Sequence, residues 1–106
     1  MPLLSNKGPG EVIPMVFDFS GVVEEGSAVV SAAFTVVVVA GADGSNLATM
    51  LVGACTIDPN TGLVVEQLVG GGLVGCVYRV TCTATCSDGT VFQLSGDMPI
   101  RTIFGI

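Results

Sequence analysis

The sequence predicts an all-β domain built as a two-sheet antiparallel β-sandwich, and three observations carry that expectation. Valine dominates a chain of 106 residues that is 50% hydrophobic and holds 15 glycines, while leucine-rich helical periodicity is absent; β-branched side chains suit a pleated, half-buried surface. Period-two alternation of apolar and polar residues recurs in segment after segment. Turn signals rich in Gly, Asp and Asn separate these segments at short spacing.

Residues 1–10 contain Pro2, Pro9, Gly8 and Gly10 without a period, and read as an extended N-terminal arm. Residues 12–20 alternate, with Ile13, Met15, Phe17 and Phe19 on one face and Asp18 on the other. Pro14 lacks a ladder donor, so this is an edge strand or a kinked one, and an outward Asp18 discourages unwanted pairing. Residues 21–27, with Glu24 and Glu25, form a solvated connection. Residues 28–40 are the longest apolar run; Val30, Ala32, Phe34, Val36 and Val38 share one face, and Ser31 and Thr35 mark the other. Four consecutive valines beside Thr35 are poor helix material. Val37 and Val39 fall on the outer face, which implies a covering loop or another chain.

Residues 41–46 are a turn-rich loop. Residues 48–57 form a further strand whose inward face the pattern leaves unassigned. Asp58-Pro59-Asn60-Thr61-Gly62 is a turn, residues 63–69 are a strand, and Gly70-Gly71-Gly72 leads into the segment around which the rest is organised. There Cys76, Tyr78, Val80, Cys82, Ala84 and Cys86 alternate with Arg79, Thr81, Thr83 and Thr85, Ser87-Asp88-Gly89 breaks the pattern, and alternation resumes from Thr90 to Asp97. A two-residue turn would set Ala84 against Gln93 and Cys82 against Ser95. A three-residue loop sets Ala84 against Phe92 and Cys82 against Leu94, keeping the apolar set together. Such a loop needs a left-handed residue at its end, where Gly89 stands. A β-hairpin follows.

Composition excludes several classes. Net charge is −6, with Lys7, Arg79 and Arg101 the basic residues; nucleic-acid binding and attachment to anionic membranes both need clustered Lys and Arg. No signal peptide is read at the start, and the apolar run of residues 28–42 is too short to span a bilayer. Cys82 and Cys86, four residues apart on one strand face, are roughly 13 Å apart, beyond disulfide reach. With no histidine and no CxxC, zinc is disfavoured. Cys55 could bridge another cysteine across the sandwich, but buried reduced thiols packing as small hydrophobes are the simpler expectation.

Residues 70–75 lack the Gly-Lys-Ser/Thr ending of a phosphate cradle and precede a strand, so a flexible turn is expected. Glu24, Glu25, Asp43 and Asp88 lie in turns, and nothing in the sequence makes two of them converge as glycosidase chemistry requires. Asp43-Gly44-Ser45 could form part of a weak cation loop, though a plain turn is favoured. Without histidine the usual general base is missing. Neither catalysis nor a cofactor is expected.

Phe17-Asp18-Phe19-Ser20, the apolar strand with Ser31 and Thr35, Gly71-Gly72-x-x-Gly75-x-x-Tyr78, Val80-Thr81-Cys82 and Ser87-Asp88-Gly89 together resemble small virion proteins of tailed bacteriophages, of the fibre–tail adaptor or head-decoration type. The resemblance spans roughly residues 11–102. It implies an immunoglobulin-like antiparallel β-sandwich of about seven strands, with Tyr78 as the corner tyrosine that ties a loop to its strand. It also implies a non-enzymatic structural role at the tail–fibre junction or on the capsid exterior. The partners would be other virion structural proteins, in multiple copies of a symmetric assembly formed in the bacterial cytoplasm, where thiols stay reduced. The four cysteines and the apolar ending Ile103-Phe104-Gly105-Ile106 depart from that pattern.

The organisation expected is therefore an arm over residues 1–10, a sandwich over 11–102 and a second arm over 103–106. Exposed apolar segments mark interfaces, which selects Leu3, Leu4, Ile103, Phe104 and Ile106 as arm contacts, with Val37 and Val39 on the body. The competing reading is a secreted adhesion or carbohydrate-binding sandwich, which would call for an oxidised Cys55 bridge.

Overall fold

The computed structural model of the chain describes residues 10–44 and 47–100. Six strands follow one another: β1 (Val12–Asp18), β2 (Val29–Ala40), β3 (Leu51–Ile57), β4 (Val64–Gly70), β5 (Val77–Cys86) and β6 (Val91–Pro99), with a single bridge residue at Ile100. They form two antiparallel three-stranded sheets, ordered β1-β4-β3 and β2-β5-β6. The all-β sandwich expected from alternation is the fold.

Alternation explains the core directly. Along β5 each even residue is buried and each odd one half-buried, because β2 and β6 flank its backbone on both sides while its outer face stays open. Tyr78, Val80, Cys82 and Ala84 from β5, Met15 and Phe17 from β1, Val65 and Val69 from β4, with Phe19 and Met98, fill the space between the sheets. Phe17 and Phe34 meet across it with ring centroids 5.6 Å apart. Each large side chain taken fully from water contributes about 1.5–3 kcal/mol.

The hairpin has the three-residue loop. Ala84 pairs with Phe92 and Cys82 with Leu94, the Gly89 amide bonds the Cys86 carbonyl at 3.0 Å, and Gly89 has φ +89°. Elsewhere the chain departs from the expected outline. Residues 48–50, expected to begin a strand, fall in a 3-10 turn (Leu47–Met50), which carries Met50 into the core. β3, whose inward face the pattern left open, buckles between Val52 and Thr56, with Gly53 at φ +69°. A bulge of this kind breaks the two-residue period. The Gln67 side-chain amide, 3% exposed, fills the buckle by donating to the carbonyls of Val52 and Gly53 at 3.2 Å each and of Leu68 at 2.9 Å.

Candidate partner-binding surface

The two ends of the sandwich differ. Val12 pairs with Gly70, and the Ile100 side chain sits where a Gly72 Cβ would be, 2.8 Å from that position. The described chain therefore enters and leaves at one end, beside the β4–β5 loop. Of the eleven large apolar side chains exposed among the described residues, seven lie in the half toward this end: Val12, Val37, Val39, Val52, Leu68, Leu73 and Val74. The opposite end carries the β1–β2, β3–β4 and β5–β6 loops, and with them Asp18, Glu24, Glu25, Asp58 and Asp88.

Those acidic loops are self-braced. The Asp18 carboxylate accepts the Ser20 amide at 2.9 Å, and the Asp58 carboxylate accepts the Asn60 amide and the Thr61 hydroxyl at 3.0 Å each. Asp88 accepts the Thr90 amide at 3.0 Å and its hydroxyl at 2.6 Å. These bonds to the ionised form hold Asp18 and Asp88 below the usual carboxylate range. Ser27 and Ser87 hydroxyls meet at 3.2 Å, joining two of the loops.

Tyr78 anchors the other end. It is fully buried, its hydroxyl donates to the Asp43 carboxylate at 2.6 Å, and it accepts the Leu73 amide at 2.9 Å. One phenol thus pins both the β2–β3 and β4–β5 connections to β5. Burial, and secondarily the bond to Asp43, pushes the phenol up to about 12. Burial likewise pushes the Cys82 thiol up to about 12, so it stays a protonated hydrophobe. All four cysteines are free.

Val37 and Val39 are exposed on β2, Val37 opposite Arg79 and Val39 within a register shift. Leu3, Leu4, Ile103, Phe104 and Ile106 lie outside the described residues, as do the arm assignments built on them. The role of Gln67 and the bond of Asp43 to Tyr78 were not legible in the sequence. A glutamine at an inward position between Val65 and Val69 was the available signal for the first; for the second there was none, since its partner is 35 residues away. Among the described residues no group of His, Cys, Asp or Glu converges as a metal site.

What remains is a braced, two-ended body with apolar side chains gathered where both chain segments attach. A protein-family model described as podophage GP4 fiber-tail adaptor protein gp77 matches residues 7–98. The chain belongs to that family. No curated protein matches it. The match spans β1 to β5 and all of β6 but Pro99.

Proposed function

We propose that this chain is a non-enzymatic virion adaptor that joins fibre to tail through two unlike ends. The observation that carries the reading is the polarity of its surface: exposed valines and leucines cluster where both chain segments attach, and five of the nine side-chain carboxylates lie at the far loops. A link between two bodies needs two distinguishable contact surfaces, and apolar patches rimmed by polar residues suit lasting ones. The family's name supports the tail–fibre junction over the capsid exterior.

In this reading residues 1–10 and 103–106 are arms, and Leu3, Leu4, Ile103, Phe104 and Ile106 contact neighbouring virion proteins, with Val37 and Val39 extending the contact on the body. The immunoglobulin-like assignment belongs here too. The orders β1-β4-β3 and β2-β5-β6 are those of strands B-E-D and C-F-G of such a domain, and Tyr78 stands at the corner expected of its tyrosine. Several copies in a symmetric particle, assembled in the bacterial cytoplasm, complete the reading.

Deletion of residues 103–106 tests it. The shortened chain is expected to keep its melting temperature and lose incorporation into particles, measured by sedimentation of virions from a complemented phage. Undiminished incorporation would remove the arm assignment.

A further inference from the structure

The two sheets have four edges, and three are closed to strand addition. On β1 the Phe19 amide bonds the Leu63 carbonyl at 2.8 Å, which fixes odd residues toward β4 and even residues outward. Pro14 therefore stands in the middle of the outer edge, where its ring replaces a donor. β3 is buckled at Val52–Thr56. β3 and the 3-10 turn pack against β2, and the Cys55 thiol approaches the outward Ala32 carbonyl at its edge at 4.0 Å.

β6 is different. The Cys86 amide bonds the Thr90 carbonyl at 2.8 Å, and the Ile100 amide bonds the Cys76 carbonyl at 3.0 Å. With the register between them unbroken, even residues of β6 face β5. Val91, Gln93, Ser95 and Asp97 then turn their N–H and C=O groups outward, with no proline before Pro99 and no bulge. No described strand pairs there, and the inward side chains of Phe92 and Leu94 remain half-buried at this margin. A straight edge without a deterrent is a template for an added strand.

Charge selects the occupant. Residues 10–100 hold all nine carboxylates and a single basic residue, Arg79, whose guanidinium is held by Asp97 at 2.8 Å. A second copy would bring its own carboxylates against these, whereas a segment bearing Lys or Arg is drawn in. We propose that the outer edge of β6 receives an extended, positively charged segment of a partner virion protein as an added strand, its alternate apolar side chains covering Phe92 and Leu94. This rests on the adaptor reading.

The test incubates the full chain with particles made by a phage lacking it, followed by sedimentation and amide hydrogen exchange. The amides of Val91, Gln93, Ser95 and Asp97 are expected to exchange freely in the isolated chain and to slow at least about tenfold in the particle, as a shared backbone hydrogen bond requires. Ser95→Pro removes an outward donor, and Gln93→Lys sets a repelling charge beside the basic segment; each is expected to lower incorporation about tenfold. The exchange measurement on the unaltered chain decides the matter even where Ser95→Pro fails to fold. Amides that stay fast in the particle, are already slow in the isolated chain, or slow only through self-association would overturn the proposal, as would normal incorporation of Gln93→Lys. Failure of the unaltered chain to join particles would instead remove the adaptor reading, and the proposal with it.

Discussion

The two sheets draw on similar residues and hold their strands together in different ways. β2-β5-β6 keeps register through its length apart from the ends of β2. Its outer face is finished by cross-strand pairs: Thr81 with Ser95 at 2.7 Å, Gln93 with Thr83 at 3.0 Å, Arg79 with Asp97 at 2.8 Å. In β1-β4-β3 the pairing of β3 fails midway, and one buried amide, Gln67, donates to the Val52, Gly53 and Leu68 carbonyls beside the break. The first sheet carries several exposed side-chain pairs, whereas at the break in β3 the side-chain bonds come from one buried residue.

Gln67→Leu should break this contrast or establish it, because it removes the buried amide that donates to the Val52, Gly53 and Leu68 carbonyls. It is expected to cost about 2–4 kcal/mol in a urea melt. Tyr78→Phe strips the Leu73 amide and the Asp43 carboxylate of a shared partner between the sheets, and should cost about 2 kcal/mol. Gly72→Ala meets both φ +97° and the Ile100 side chain at 2.8 Å, whereas Gly89→Ala at φ +89° meets open space. The expected costs are about 2–3 kcal/mol and about 1 kcal/mol, read as a difference in thermal midpoint. Thr83→Val removes an exposed pair of the regular sheet and should stay within about 0.5 kcal/mol. Equal costs for Gln67→Leu and Thr83→Val would end the comparison.

The pH dependence sharpens it further. The Tyr78 phenol and Cys82 thiol, ordinarily near 10 and 9, are both pushed up to about 12 in the folded chain. The native state therefore holds protons that the unfolded chain has released. Their contribution is complete below pH 9 and is lost as pH rises from there through 12. Asp97, lowered mainly by its bond to Arg79, has the opposite sense, losing its contribution as pH falls through the carboxylate range. Chemical denaturation across an alkaline series should show the larger slope, since both raised groups sit in the core.

The same contrast governs what the sequence made legible. From Cys76 to Asp97 alternation alone sets strand limits, facing and register, because every inward position is apolar and a slip would expose the whole set. In β3, Val52-Gly53-Ala54-Cys55 has no period to read, because the bulge had already broken it; nothing local announces that Gln67 will fill the gap. The Tyr78–Asp43 bond was hidden for another reason: the residues that meet there are far apart along the chain, and only the folded topology joins them. Leu3, Leu4, Ile103, Phe104 and Ile106 were selected as apolar residues in segments without a period, and Val37 and Val39 as apolar residues on an outer face; either choice says what a surface favours without saying what it touches.

Because the chain enters β1 and leaves β6 at the same end, tension applied through both terminal segments would not shear the ladders along their length. It would open the sandwich at its mouth, where the Ile100 amide and carbonyl bond Cys76 and Gly75 at 3.0 and 3.1 Å, and then peel β6 from β5 one hydrogen-bonded pair at a time. Single-molecule pulling from the two ends should therefore yield at low force, whereas pulling from one terminal segment against the hairpin tip at Asp88 should meet far greater resistance.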